Sequence, residues 1–181
     1  EEMIFADETV GGCVPKNFIP SVEKGLRNCV GKGVLAGYPV VFLKATLYFG
    51  SYHPVDSSDM AFQTAAGIAY KEGLPTAGPT LLEPIGELKV FIPDANMGDI
   101  IGDLNKRRGR VMGMNPDPEN PGYQIVEAEV PMGEMTSYAI DLRSMTQGRG
   151  SFTCKFVRYE EAPGNVQQKV IEEAKALADA E

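Results

Sequence analysis

Apolar positions along this chain switch between the two-residue period of strands and the 3.6-residue period of helices. Residues 3–9 read as a short strand. Pro20 opens a helix in which Val22, Leu26, Cys29 and Val30 fall at i, i+4, i+7 and i+8, and Gly31 and Gly33 end it. Residues 40–49 read as a strong strand, with Val41, Leu43, Ala45, Leu47 and Phe49 on one side. A short loop, Gly50-Ser51-Tyr52-His53-Pro54-Val55, then leads to Asp56. The pattern makes Asp56 the N-cap of a helix reaching about Glu72, with Asp59 near its positive end. Met60, Phe62, Ile68 and a run of alanines predict broad burial for this helix. The stretch from Leu74 to Pro79 holds two prolines and a glycine and reads as a linker.

The pattern beyond the linker is written twice. Residues 85–92 alternate, with Leu88, Val90 and Ile92 on one face, and Met97, Ile100, Ile101 and Leu104 follow at helical spacing. Residues 110–114 form a short strand, 115–122 with three prolines a loop, and 123–130 a strand with Val126, Ala128 and Val130 on one face. Met135, Tyr138, Ala139 and Leu142 repeat the helical spacing, and Phe152, Cys154 and Phe156 mark a last strand. The order β-α-β-β-α-β is the ferredoxin-like arrangement, a sandwich of two helices on one face of an antiparallel sheet. Residues 165–179 end the chain as a charged helix with a stripe of Val166, Val170, Ala174 and Leu177, expected to pack back across both units.

The 181 residues suffice for one large or two small domains, and 43% hydrophobic residues suffice for a core. No stretch approaches the roughly 20 apolar residues that span a bilayer, so no membrane association is expected. Glu1, Glu2 and Met3 resemble neither a signal peptide nor an ordinary initiation site, and the chain reads as a piece of a longer one. Cys13, Cys29 and Cys154 form no CxxC pair, and the single histidine completes no zinc set, so free thiols in a reducing compartment and no metal site are expected. A net charge of −8 argues against nonspecific coating of nucleic acid but permits local basic patches.

Chemistry-bearing motifs fail on spacing. Five residues separate Gly25 from Gly31 where a phosphate loop needs four, and Gly33 stands where Ser or Thr would hold magnesium. Asn105-Lys106 is followed by Arg107-Arg108 and lacks the aspartate of a guanine-reading motif. No Gly-x-Ser-x-Gly elbow is present, and no nucleophile accompanies His53. The chain is therefore expected to have no catalytic residues and to bind no GTP. Two basic turns follow helices: Lys106, Arg107, Arg108 and Arg110 at one, Arg143, Gln147 and Arg149 at the other. Cations there either cap the helix dipole or meet RNA phosphates.

Long motifs narrow the reading. Val10-Gly11-Gly12-Cys13-Val14-Pro15-Lys16, Phe18-Ile19-Pro20-Ser21-Val22-Glu23-Lys24-Gly25 and Leu35-Ala36-Gly37-Tyr38-Pro39-Val40 resemble the fourth domain of bacterial elongation factor G. Gly50-Ser51-Tyr52-His53 with Val55-Asp56-Ser57-Ser58 resembles a loop at that domain's tip. Leu81-Leu82-Glu83-Pro84-Ile85, Gly98-Asp99-Ile100-Ile101-Gly102-Asp103-Leu104 and Leu142-Arg143-Ser144-Met145-Thr146-Gln147-Gly148-Arg149-Gly150 are similar to signatures of its fifth domain. Departures are Pro54 where the family commonly has an acidic residue, a proline-rich loop at 115–122, a different linker, and the family's other tip loop, which would lie upstream of Glu1.

The resemblance implies an α+β fragment: residues 1–79 as part of the fourth domain, a ribosomal protein S5 domain 2-like βαβ unit; 80–163 as the ferredoxin-like fifth domain; 164–181 as a C-terminal helix. It implies a cytoplasmic, monomeric ribosome-binding part of a GTPase that promotes translocation of tRNA and mRNA, with GTP and magnesium bound by a missing N-terminal domain. The partners implied are the 70S ribosome at its small-subunit decoding site and at large-subunit rRNA near the stalk base, with tRNA and mRNA. Gly50, Ser51, Tyr52, His53, Pro54 and Val55 become the decoding-site tip. Lys106, Arg107, Arg108, Arg110, Arg143, Gln147 and Arg149 become candidate rRNA contacts. The alternatives are a paralogue acting in ribosome recycling or in tetracycline protection and, more remotely, a ferredoxin-like metabolite-binding or enzymatic domain.

Overall fold

A computed structural model describes residues 3–181; Glu1 and Glu2, the acidic start, lie outside it. The chain divides into two compact units, one running to Thr80 and including Pro163–Glu181, the other spanning Leu81–Ala162.

In the first unit, strands β1 (Ile4–Asp7) and β2 (Lys44–Leu47) pair in parallel, with Ile4 opposite Lys44 and Asp7 opposite Leu47. A parallel pair needs a crossover, supplied here by helix α1 (Ile19–Cys29) with Pro20 in its first turn. β2 is shorter than the alternation over 40–49 predicts. Phe42 adopts a left-handed conformation (φ 56), which bends the chain and interrupts the pleat before Lys44. Helix α2 (Asp59–Gly73) lies against α1. Its N-cap is Ser58, not Asp56: Ser58 is extended, and its hydroxyl accepts a bond from the Ala61 amide at 3.1 Å. Asp56 falls instead in the turn before the helix, where its own amide is held by the His53 carbonyl. Val14, Val22, Phe62 and Ala66 form the core, with Phe18 stacked on Phe62 at 4.8 Å between ring centroids. The linker coils into a 3₁₀ turn at Leu74–Ala77, and α5 (Gly164–Asp179) joins this unit, with Gln167 donating to Thr80 at 3.0 Å. Val166, Val170 and Ala174 of its stripe are half-buried, but Leu177 is exposed.

The second unit has strands β3 (Leu82–Pro93), β4 (Arg110–Pro116), β5 (Tyr123–Pro131) and β6 (Ser151–Glu161), with helices α3 (Met97–Lys106) and α4 (Tyr138–Thr146). The sheet order is β4-β5-β3-β6, antiparallel throughout, as a ferredoxin-like topology requires. Leu88, Val90, Ile92, Val126, Ala128 and Val130 point from the sheet onto Ile100, Leu104, Tyr138 and Leu142. Ala139 departs from the expected apolar face: it is exposed, and Thr146 takes the third buried position of α4 by turning its hydroxyl back to the Leu142 carbonyl at 2.7 Å. Asn115 and Pro116 belong to β4 and not to the loop. Proline is tolerated there because β4 is an edge strand, paired only with β5.

The backbones of α1 and α2 approach at Gly25, where a Cβ would lie 2.6 Å from the Gln63 carbonyl oxygen. Gly25→Ala is expected to push the helices apart and cost about 1–3 kcal/mol. Gly73→Ala, at a position open to solvent, should be neutral or stabilise by up to about 1 kcal/mol. Urea unfolding of the two variants checks the contrast.

Candidate functional site

Residues 50–55 leave β2 and run back into α2, and both flanks of the loop are anchored. A Cβ on Gly50 would strike Val14 at 2.5 Å, so the loop leaves the core at a position that only glycine fits. The Tyr52 ring lies 5.7 Å from that of Phe18, which carries it down to Phe62. On the other flank the His53 carbonyl accepts from the amides of Asp56 (3.2 Å) and Ser57 (2.9 Å), and the His53 amide donates to the Ser57 hydroxyl at 2.9 Å. Ser51, Tyr52, His53, Pro54 and Val55 are all exposed, Val55 at 92%. The imidazole therefore stands in solvent on a fixed backbone.

The two basic turns of the second unit differ in what their cations do. Arg107 is only 12% exposed at its side chain and bonds to Asp103 at 2.8 Å, to the Glu134 carbonyl at 2.7 Å and to Asp141. Its guanidinium also lies 4.9 Å above the Tyr138 ring. Burial works against its charge, but the bonds to Asp103 and Asp141 outweigh that and raise its pKa. Arg108, in the left-handed region (φ 59), forks onto both carboxylate oxygens of Glu83 at 3.0 and 2.8 Å and reaches Glu134 at 3.3 Å. Arg110 is 68% exposed and meets Glu129, which Arg158 also grips with two bonds at 2.9 and 2.8 Å. The guanidinium of Arg158, then that of Arg110, holds the Glu129 carboxyl at about 2.

Lys106, Arg143, Gln147 and Arg149 face solvent. Gln147 takes the left-handed C-cap of α4 (φ 53), and Arg149 returns Nε to the Thr146 carbonyl at 3.2 Å, so this second turn is a helix cap with its charge outward. Thus the structure gathers Lys106, Arg107, Arg108 and Arg110 at the end of α3, and Arg143, Gln147 and Arg149 at the end of α4, but turns Arg107 and Arg108 inward. Among the described residues no group of three or more metal-ligating side chains converges, and no helix is long and apolar enough to cross a membrane.

Residues 1–78 match the family described as elongation factor G, domain IV, and residues 80–170 the family described as elongation factor G C-terminus. The chain belongs to the elongation factor G family. An elongation factor G-like protein of Thermotoga maritima is 53% identical over 169 residues, 93% of this chain and 24% of that protein. A crystal structure from Thermus thermophilus superposes with a TM-score of 0.81 at 41% identity, covering 97% of this chain and 26% of that one. The chain thus spans about a quarter of the length of these relatives.

Most of the carboxylates that occupy the arginines are invisible in the sequence pattern. Asp103 precedes Arg107 by four residues, the spacing of a helical ion pair, which is the one local signal among them. Glu83, Glu129, Glu134 and Asp141 come from distant elements and carry no local signal. Ser57 and Phe18, which brace the loop 50–55, were likewise visible only in the fold.

These ion pairs set the expected response to mutation and to acid. Arg107→Ala strands two carboxylates and should destabilise the second unit by about 3 kcal/mol or more, whereas Arg143→Ala should change stability by less than about 0.5 kcal/mol, both read by urea unfolding. Glu129 ordinarily titrates near 4.5 but is held at about 2 in the fold. A depressed carboxylate stabilises fully above the unfolded value, and that contribution disappears as pH falls through the folded one. Stability should therefore decline between about pH 4.5 and 2, and Glu129→Gln should shrink the decline. Asp117 and Asp141, also lowered, account for a remainder: Asp117 by bonds from Asn120 and the Glu119 amide, Asp141 by bonds from Ser137 and Arg107. Urea midpoints at about pH 6 and about pH 3 measure the difference.

Proposed function

We propose that this chain is the ribosome-binding C-terminal part of a cytoplasmic translational GTPase that promotes GTP-dependent translocation of tRNA and mRNA. The single observation that carries the reading is the loop 50–55, an exposed histidine on a backbone anchored at both flanks, set in a domain IV of the elongation factor G family. A rigid polar tip acts by occupying space and contacting RNA, and it needs no proton transfer. GTP and magnesium are assigned to another part of the longer factor.

Contacts with rRNA fall to Lys106, Arg143, Gln147 and Arg149, and secondarily to Arg110, because their polar ends are open to solvent. Arg107 and Arg108 serve the same surface indirectly, by holding the turn between α3 and β4 in shape. A role in recycling or tetracycline protection is the second reading. It draws on Pro54, which departs from the family's usual residue, and on a relative called elongation factor G-like.

His53→Ala in the full-length factor should slow tRNA–mRNA movement by about tenfold, a loss on the order of 1.4 kcal/mol at the barrier, with GTP hydrolysis near normal. Rapid kinetics on pre-translocation ribosomes measure both steps, and an unchanged movement rate would favour the paralogue. Charge reversal at Arg143 and Arg149 should lower the salt slope of ribosome binding by roughly one per lost phosphate contact. If affinity and slope both stay the same, these turns are helix caps and nothing more.

A further inference from the structure

We propose that Ser57 is the positioning residue for His53, setting the backbone from which the imidazole is presented. This rests on the tip-loop reading and deepens it. His53 and Ser57 are joined reciprocally: the His53 amide donates to the Ser57 hydroxyl at 2.9 Å, and the Ser57 amide donates to the His53 carbonyl at 2.9 Å. The five-residue ring so closed contains Pro54, which has no amide to compete for either acceptor and whose ring disfavours the helical region at His53. Ser57 is half-buried, whereas each residue from Ser51 to Asp56 is exposed, so the hydroxyl is the first fixed point reached from the tip. Behind it Ser58 caps α2 through the Ala61 amide, and Asp59 accepts from the buried Ser21 hydroxyl at 2.6 Å. The sequence His53–Ser57–Ser58–Asp59–Ser21 is thus a continuous polar path from the tip to the α1–α2 packing. Within that path, Ser57 is the member whose side chain bonds to the histidine.

Serine suits the role because its hydroxyl rotates to present a lone pair to an amide. Threonine preserves that oxygen and alanine removes it. His53 is the only histidine in the chain, so its ring protons and amide can be followed without ambiguity. Amide hydrogen exchange on the 181-residue chain reads the bond directly. In Ser57→Ala the His53 amide should exchange about tenfold faster, and in Ser57→Thr it should stay within about twofold of the parent. The Ala61 amide, held by Ser58, should be unchanged in both, which separates loss of the clamp from loss of the helix.

In the full-length factor, Ser57→Ala should slow tRNA–mRNA movement about fivefold at saturating factor, and Ser57→Thr should restore it. An equally protected His53 amide in Ser57→Ala overturns the inference. So does a normal movement rate in Ser57→Ala where His53→Ala is slow, and that result leaves the tip-loop reading standing. A normal rate in His53→Ala overturns the reading and the inference together.

Discussion

The first unit depends on how closely two helical backbones can approach. At Gly25 the α1 backbone rests against Gln63 of α2 with no room for a methyl group. That contact fixes where α2 starts relative to α1, and the rest of the unit follows from it. Ser21 lies one turn before Gly25 and reaches Asp59 in the first turn of α2. Ser58 then falls where the cap must be, and Ser57 where it can return to His53. A side chain at residue 25 would shift α2 as a body and carry the loop with it, because packed interiors transmit displacement and do not absorb it.

The second unit is governed by a different constraint, the competition for its cations. A guanidinium can fork onto a carboxylate or onto a phosphate, with similar geometry in each case. Where both partners are already in the fold, as for Arg108 with Glu83 and Arg158 with Glu129, a phosphate would have to displace a charge-assisted pair. Among the described residues of this unit, that leaves exposed cations at the ends of α3 and α4, Lys106, Arg143 and Arg149, and Lys155 on β6. Most other cations of the sheet meet a carboxylate within the fold, Lys89 meeting Glu127 at 3.2 Å.

The legibility of all this in the sequence follows its range. Strands and helices of the second unit could be read because Leu88, Val90 and Ile92, or Ile100 and Leu104, repeat at the period of their element and are fully buried. The errors occur where a single residue overrules the period. Phe42 in the left-handed region cuts β2 short, and Asp56, in the turn closed on the His53 carbonyl, yields the cap to Ser58, which is extended and accepts from the Ala61 amide. Thr146 replaces Ala139 on the buried side of α4 by satisfying its hydroxyl internally. Residues 50–55 were legible as a loop between strand and helix but not as a geometry. Nothing in the spacing of His53 and Ser57 separates a closed ring from a slack loop, and nothing around Arg107 announces Asp141 thirty-four positions away.

A loop that samples many conformations presents its working arrangement only for a fraction of the time, and its apparent strength falls by that fraction. Each hydrogen bond across the loop 50–55 is modest, roughly 1 kcal/mol net, yet that is enough to shift a two-state loop about fivefold toward its closed form. The bonds to His53 act together with the Tyr52–Phe18 ring contact, which restrains the loop from the opposite flank. Neither restraint touches the imidazole. The ring keeps its freedom to rotate about its own bonds while its point of attachment is held. The proposed role at a moving RNA is served by that division: a fixed origin limits the entropy lost on contact, and a free side chain lets the contact be brief.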